Sequence, residues 1–297
     1  MPQTKATAIG FIAILLWALL ALFTVGSAPV PPLLLNAICF TLGGGLGLLW
    51  SAASGNLRAL RQVPWTVYGL GTLGLFGYHA LYFSALRLAP AAEAGLIAYL
   101  WPLLIVLLSG LLPGETLRKG HYFGAILGFC GAALIVSGGG AGFQTQYLPG
   151  YGLALLCALT WSGYSVLSRR FASVPTSSVA LFCLLSAVAS WGLHFLLEDT
   201  RWPDSLLGWG SVLGLGLGPV GLAFFVWDIG VKQGNIQVLG TLSYATPLLS
   251  TLVLVMAGIA QLSISLGLAA ILITLAALCA ALASKEKGPS KDDPGLS

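Results

Sequence analysis

The sequence predicts an all-α polytopic membrane protein: ten transmembrane helices in two inverted five-helix repeats, with both termini in the cytoplasm. Three observations predict it. The chain of 297 residues is 57% hydrophobic and only 7% charged, with a mean hydropathy of +0.93, whereas a soluble domain has roughly a quarter of its residues charged. Its apolar residues gather into ten runs, each long enough to cross a bilayer as a helix. One stretch also occurs twice. Gly95-x3-Tyr99-x2-Pro102-Leu103-Leu104-x2-Leu107 returns as Gly240-x3-Tyr244-x2-Pro247-Leu248-Leu249-x2-Leu252, every matched position 145 residues further on.

In order, the runs lie at 6–25, 32–53, 64–87, 91–112, 119–138, 149–169, 176–197, 207–230, 236–257 and 263–283. Apolar runs of this length exclude a β-barrel, which shows short alternating strands. The first follows Lys5 and precedes Gly26-Ser27-Ala28, a layout shared with signal peptides. It is too long for an h-region, and Pro29 would sit directly behind the cut, so we read it as a retained helix. The second run is crowded with Gly43, Gly44, Gly45 and Gly47. The third opens on Gly69, Gly71, Gly74 and Gly77, and the eighth carries Gly214, Gly216, Gly218 and Gly221. Gly120, Gly124 and Gly128 share one face of the fifth. Small faces let helices approach closely in lipid. Packing within the chain is the first expectation, and a homodimer through the Gly-rich face of the fifth helix is the alternative to a monomer. Residues 285–297 are polar and Pro-containing, the composition of a disordered cytoplasmic tail.

Orientation follows from the basic residues. Lys5, Arg58, Arg61, Arg118, Lys119, Arg169, Arg170, Lys232, Lys285, Lys287 and Lys291 fall on one side, and Arg87 and Arg201 on the other. That eleven-to-two division places the termini inside. Five helices per half is an odd number, so the second half enters from the opposite face. The halves, 1–140 and 141–284, form an inverted repeat about an axis in the membrane plane. Trp17 and Trp161 occupy comparable places in the first helix of each half.

Function should lie where polar groups enter these helices. Pro102 and Pro247 each remove an amide in mid-helix and leave a carbonyl without its usual partner. Hydrocarbon does not tolerate this, so the freed carbonyl should face protein or a wet cavity. A packing kink is the plain reading, and the duplicated Tyr-x2-Pro favours hinges that line a cavity. Tyr78, His79 and Tyr82 share a face of the third helix, as do Phe224, Trp227 and Asp228 of the eighth and Trp161 and Tyr164 of the sixth. Tyr99 and Trp101 flank the first kink, and Tyr244 the second. Trp and Tyr usually gather at the interface, which suits Trp50, Trp65, Trp202 and Trp209. Deep in several helices they suggest a shared polar-aromatic cavity. An ionisable residue inside a span is a functional candidate by default, which draws attention to His79 and Asp228. An ion pair of Asp228 with Lys232, one turn on, is a strong structural alternative. Arg87 and Lys232 read as helix-end anchors that snorkel.

The basic residues are dispersed among loops, which gives no nucleic-acid signal. Cys39, Cys130, Cys157, Cys183 and Cys279 have no metal-ligand spacing and read as small buried hydrophobes. No zinc pair, nucleophile elbow or phosphate loop is present, so neither an enzyme nor a bound cofactor or metal is expected.

With repeat, topology and motif in hand, the chain resembles the drug/metabolite transporter superfamily, in particular its EamA-type ten-helix exporters. The likeness rests on the Trp17 and Trp161 helix starts, Ser168-Arg169-Arg170 and the two Tyr-x2-Pro-Leu helices. Tyr78-His79-x2-Tyr82 with Tyr99-x-Trp101-Pro102 is similar to the members that export aromatic amino acids. The resemblance implies an inner-membrane carrier that moves amino acids outward. The residues agree with it. Ammonium can rest on Trp or Tyr rings, and a cavity without fixed charge suits substrates of little net charge. The expected lining is Tyr78, His79, Tyr82, Tyr99, Trp101, Trp161, Tyr164, Trp227, Asp228 and Tyr244, with Pro102 and Pro247 as hinges of alternating access. An efflux carrier for drug-like cations is the competing reading, with a non-transporting sensor or scaffold behind it. The first would want a carboxylate in the cavity, and the second a filled core.

Overall fold

The structure, a computed structural model, describes residues 1–55, 57–136 and 144–285. The repeat boundary expected at 140/141, and the tail from 286 onward, lie outside the described residues. Among the described residues all regular structure is helical. The main helices are α1 (Gln3–Gly26), α2 (Pro32–Ala53), α3 (65–88), α4 (91–109), α5 (Lys119–Val136), α6 (Leu148–Arg170), α7 (Val179–Leu197), α8 (Leu206–Gln233), α9 (Ile236–Met256) and α10 (Ile264–Lys285). Eight of them, all but α3 and α4, are long and apolar enough to cross a membrane. α4 falls short in length, and it has a break between Ala91–Ala98 and Trp101–Ser109. α3 carries Tyr68, Tyr78, His79 and Tyr82, which lower its hydropathy.

The backbone repeats its irregularities at the spacing of the sequence repeat. α3 contains one π-helical turn, Leu73–Gly77, and α8 another, Gly218–Leu222. α9 breaks between Ile236–Leu242 and Ala245–Met256, as α4 does beside its own proline. Pro102 and Pro247 are both buried at the start of the second segment. Each lacks the amide that would continue the ladder, and Thr246 N turns instead to Ser243 O at 3.1 Å.

Helix packing shows the same order. α1 packs on α8 and α9, as α6 does on α3 and α4, while α2 pairs with α7, α4 with α9 and α5 with α10. Exchanging every helix for the one five places along returns the same set. Glycine permits the closest crossings. A Cβ on Gly230 would lie 2.6 Å from Gly10 Cα, and one on Gly43 2.8 Å from Gly221 Cα. The Gly120, Gly124 and Gly128 face of α5 is covered within the chain: Gly120 and Gly124 lie against α10, and Gly128 beneath the Tyr244 ring.

One end of the bundle gathers the start of α1, the loop before α5 and the ends of α6, α8 and α10. There Thr7 Oγ1 accepts from Asn235 N at 2.8 Å, and Arg118 donates to Ala283 O at 3.3 Å. The other end holds the start of α2 and the end of α7. Glu198 accepts from Leu33 N and Leu34 N at 2.9 and 3.1 Å, and contacts His194 Nδ1 at 3.0 Å. His194 is fully buried.

Candidate substrate cavity

Between α1, α3, α4, α6, α8 and α9 lies a cavity of about 220 Å³. These six helices are two sets of three related by the repeat. α3 contributes Tyr78, His79 and Tyr82, directly after its π turn. α4 contributes Tyr99 and Trp101, which bracket its break, and α6 contributes Trp161. α1 adds Trp17, Leu20 and Ala21, α8 adds Pro219, Val220 and Phe224, and α9 adds Thr246 and Ser250.

The floor is aromatic. Trp17 sits 5.7 Å from Trp161, 6.1 Å from Trp101 and 5.2 Å from Trp227, ring centre to ring centre. Its indole nitrogen donates to Pro219 O at 3.0 Å, so a carbonyl of the π turn is met by a ring from the other half. Tyr78 and Tyr82 stack at 6.1 Å with planes 13° apart. Among the described residues the hydroxyls of Tyr78, Tyr82 and Tyr99 have no protein hydrogen bond. His79 Nδ1 stands 2.7 Å from Leu75 O. A carbonyl only accepts, so Nδ1 carries the hydrogen, and in the neutral form of the ring Nε2 is then an acceptor. The wall thus offers hydroxyls, an imidazole nitrogen and ring faces, and no fixed charge.

Of the residues expected at the site, Tyr78, His79, Tyr82, Tyr99, Trp101 and Trp161 come together here. Trp227 lies one layer behind the floor, fully buried, and donates to Ser165 Oγ at 3.1 Å. Tyr244 is also fully buried, packed on Gly128 and 6.4 Å from Phe129. Tyr164 packs beneath Trp161, at 5.4 Å, and lines a separate crevice with Asp228 and Lys232. Asp228 pairs with Lys232 at 2.9 Å and accepts from Thr176 at 2.7 Å, while Lys232 also donates to Val174 O at 3.0 Å. Lys232 is buried, so it is tied back to its own helix and does not snorkel as expected from sequence. Trp17, Leu20, Ala21, Pro219, Val220, Phe224, Thr246 and Ser250 were absent from the expected lining. The repeat held a signal for three of them: Trp17 matches Trp161, Phe224 matches His79, and Thr246 matches Trp101.

At the end that gathers the starts of α1 and α9, the bundle is closed. Arg169 donates to Glu115 at 2.6 Å and to Val231 O and Gly234 O at 3.0 and 2.7 Å, and Gln237 donates to Glu115 at 2.9 Å. This network ties α6, the loop before α5, α8 and α9 together. Leu20, Ala21, Tyr82 and Ser250 sit in the halves of their helices away from it.

The EamA-like transporter family matches the chain twice, over residues 4–137 and 148–282. An aromatic amino acid exporter, YddG, of Ancylobacter novellus is 53% identical over 96% of this chain and all of that protein. YddG of Escherichia coli is 27% identical over 96% of this chain and 99% of its own length. A solved crystal structure with 52% identity superposes with a TM-score of 0.92, covering 96% of this chain and 100% of the other. This chain belongs to the EamA-like transporter family.

Proposed function

We propose that the chain exports amino acids, aromatic and other neutral ones, across the bacterial inner membrane by alternating access around this cavity. In this reading ten helices span the bilayer as two inverted halves, 1–140 and 141–284, with both termini cytoplasmic. Pro102 and Pro247 mark the hinges. Similarity over nearly the whole length to proteins named aromatic amino acid exporters supports the substrate class, as does an aromatic cavity without a lining cation or carboxylate.

The observation that carries the mechanism is how repeat-related residues are divided. Tyr99 lines the cavity, while its equivalent Tyr244 is fully buried. Tyr82 lines it too, while its equivalent Trp227 is fully buried. In an inverted repeat such pairs lie on opposite sides of the midplane. An open half and a closed half are then one arrangement seen in two states, and exchanging them moves the opening to the other face. The Arg169–Glu115–Gln237 network closes the cytoplasmic face in the present state.

The cation-efflux reading would need a cavity carboxylate, and Asp228, held by Lys232 and Thr176, lies outside the cavity wall. Counterflow in proteoliposomes tests the choice. Saturable exchange of labelled Phe or Thr supports export of amino acids. Exchange of cationic dyes alone would replace that reading, and no exchange by folded protein would favour a scaffold.

A further inference from the structure

We propose that Thr246 and Ser250 of α9 hold the carboxylate of the transported amino acid, while the aromatic floor receives its side chain. This rests on the amino acid reading above and extends it to two residues and one ligand group.

The first ground is hydrogen bonding. Hydroxyls in a membrane helix usually turn back to the carbonyl four residues earlier. In α9 they do so three times: Thr241 to Gln237 O at 3.0 Å, Ser243 to Leu239 O at 2.8 Å, and Thr251 to Pro247 O at 2.8 Å. Thr246 and Ser250 do not. Thr246 Oγ1 is buried with no partner, and Ser250 Oγ has none among the described residues. For Thr246 the break gives a reason. Its acceptor four residues back is Leu242, the last residue of the preceding segment. A buried hydroxyl without a partner is unfavourable, and a ligand in the adjoining cavity can supply one once the side chain rotates about χ1.

The second ground is position. Residues four apart share a helix face, and both line the cavity. Their repeat equivalents are Trp101, whose ring helps to form the floor, and Ile105, which is fully buried. Where the first half places bulk, the second places two small hydroxyls and leaves room beside them. No Arg or Lys lines the cavity, so a carboxylate must be met by neutral donors. Two hydroxyls one turn apart can donate to its two oxygens. The ammonium is left to the His79 Nε2 acceptor and the ring faces, with the apolar side chain against the Trp17, Trp101 and Trp161 rings.

Calorimetric binding to the detergent-purified full chain tests this, with phenylalanine and with phenethylamine, which lacks the carboxylate. Hydrogen bonds to a charged group predict about a tenfold loss of phenylalanine affinity for each of Thr246→Val and Ser250→Ala. Phenethylamine affinity should be unchanged, and Thr246→Ser should restore phenylalanine binding. Equal losses for both ligands, or no loss for either, would overturn the assignment, as would a wild-type chain that binds no amino acid. Binding retained without exchange in proteoliposomes would overturn the transport reading alone. Gel-filtration profiles of each variant separate a lost contact from a lost fold.

Discussion

Trp101 and Asp228 show how differently buried side chains of this bundle are used. Trp101 forms part of the floor, so Trp101→Ala and Tyr99→Ala should cut transport at least tenfold while membrane levels stay near normal; flux at equal expression checks this. Asp228 faces the opposite outcome. Removing one partner of a buried ion pair leaves the other charge without compensation and costs about 3–5 kcal/mol. Asp228→Asn should therefore lower the melting temperature and the folded yield, measured by thermal stability in detergent, before any effect on substrate affinity. The sequence allowed both readings of Asp228, because a face shared with Phe224 and Trp227 and a one-turn spacing to Lys232 are equally visible in it. Only the three-dimensional position of Thr176 and Val174 shows which partners Asp228 and Lys232 take. Tyr78, His79, Tyr82, Tyr99 and Trp101 were legible because polar aromatic residues at one helical face and beside a mid-helix proline have few apolar explanations. Leu20, Ala21 and Val220 were not, since nothing about an apolar residue in an apolar helix says that it borders a void.

At the scale of elements, the breaks in α4 and α9 were readable from their prolines, but the π turns of α3 and α8 were not. A π turn shifts the hydrogen-bond register, and no residue type is required for it: Leu73–Gly77 has no proline, whereas Gly218–Leu222 has one. That both occur at the repeat spacing shows that the position is kept while the local sequence differs. Pro247→Ala restores an amide that can bond the Ser243 carbonyl. It should straighten α9, leave thermal stability equal or higher, and lower the turnover rate more than the substrate affinity, as resolved by initial-rate transport at several concentrations. Glycine marks a second kind of element-level constraint. A side chain at Gly230 meets the Gly10 backbone, which cannot move aside without parting α1 from α8. Gly230→Leu should abolish folded protein in a gel-filtration assay. Gly45→Leu, at a position with open space around the added Cβ, should be tolerated.

At the scale of the whole molecule, the repeat relates the aromatic cavity to the closed end of the bundle. If the two faces exchange, Tyr99 and Tyr244 must exchange environments, and the tie among Arg169, Glu115 and Gln237 must break. Arg169–Glu115 is short, at 2.6 Å, and partly shielded, with side chains 19% and 10% exposed. A hydrogen bond to a charged group contributes about 1.5–3 kcal/mol. Neutralising Glu115 should therefore shift the ratio of the two states by roughly tenfold to a hundredfold. Single cysteines at 99 and 244, in a chain otherwise free of cysteine, report the shift. With Glu115 intact, a membrane-impermeant thiol reagent should modify position 99 from the cavity's open side and leave position 244 unmodified. With Glu115→Gln, modification at 99 should slow, while 244 becomes reactive from the opposite side. A parallel rise at both positions would mean that the bundle had loosened, and no change would mean that other contacts hold the closed face. Only the reciprocal result requires one cavity that opens to each side in turn.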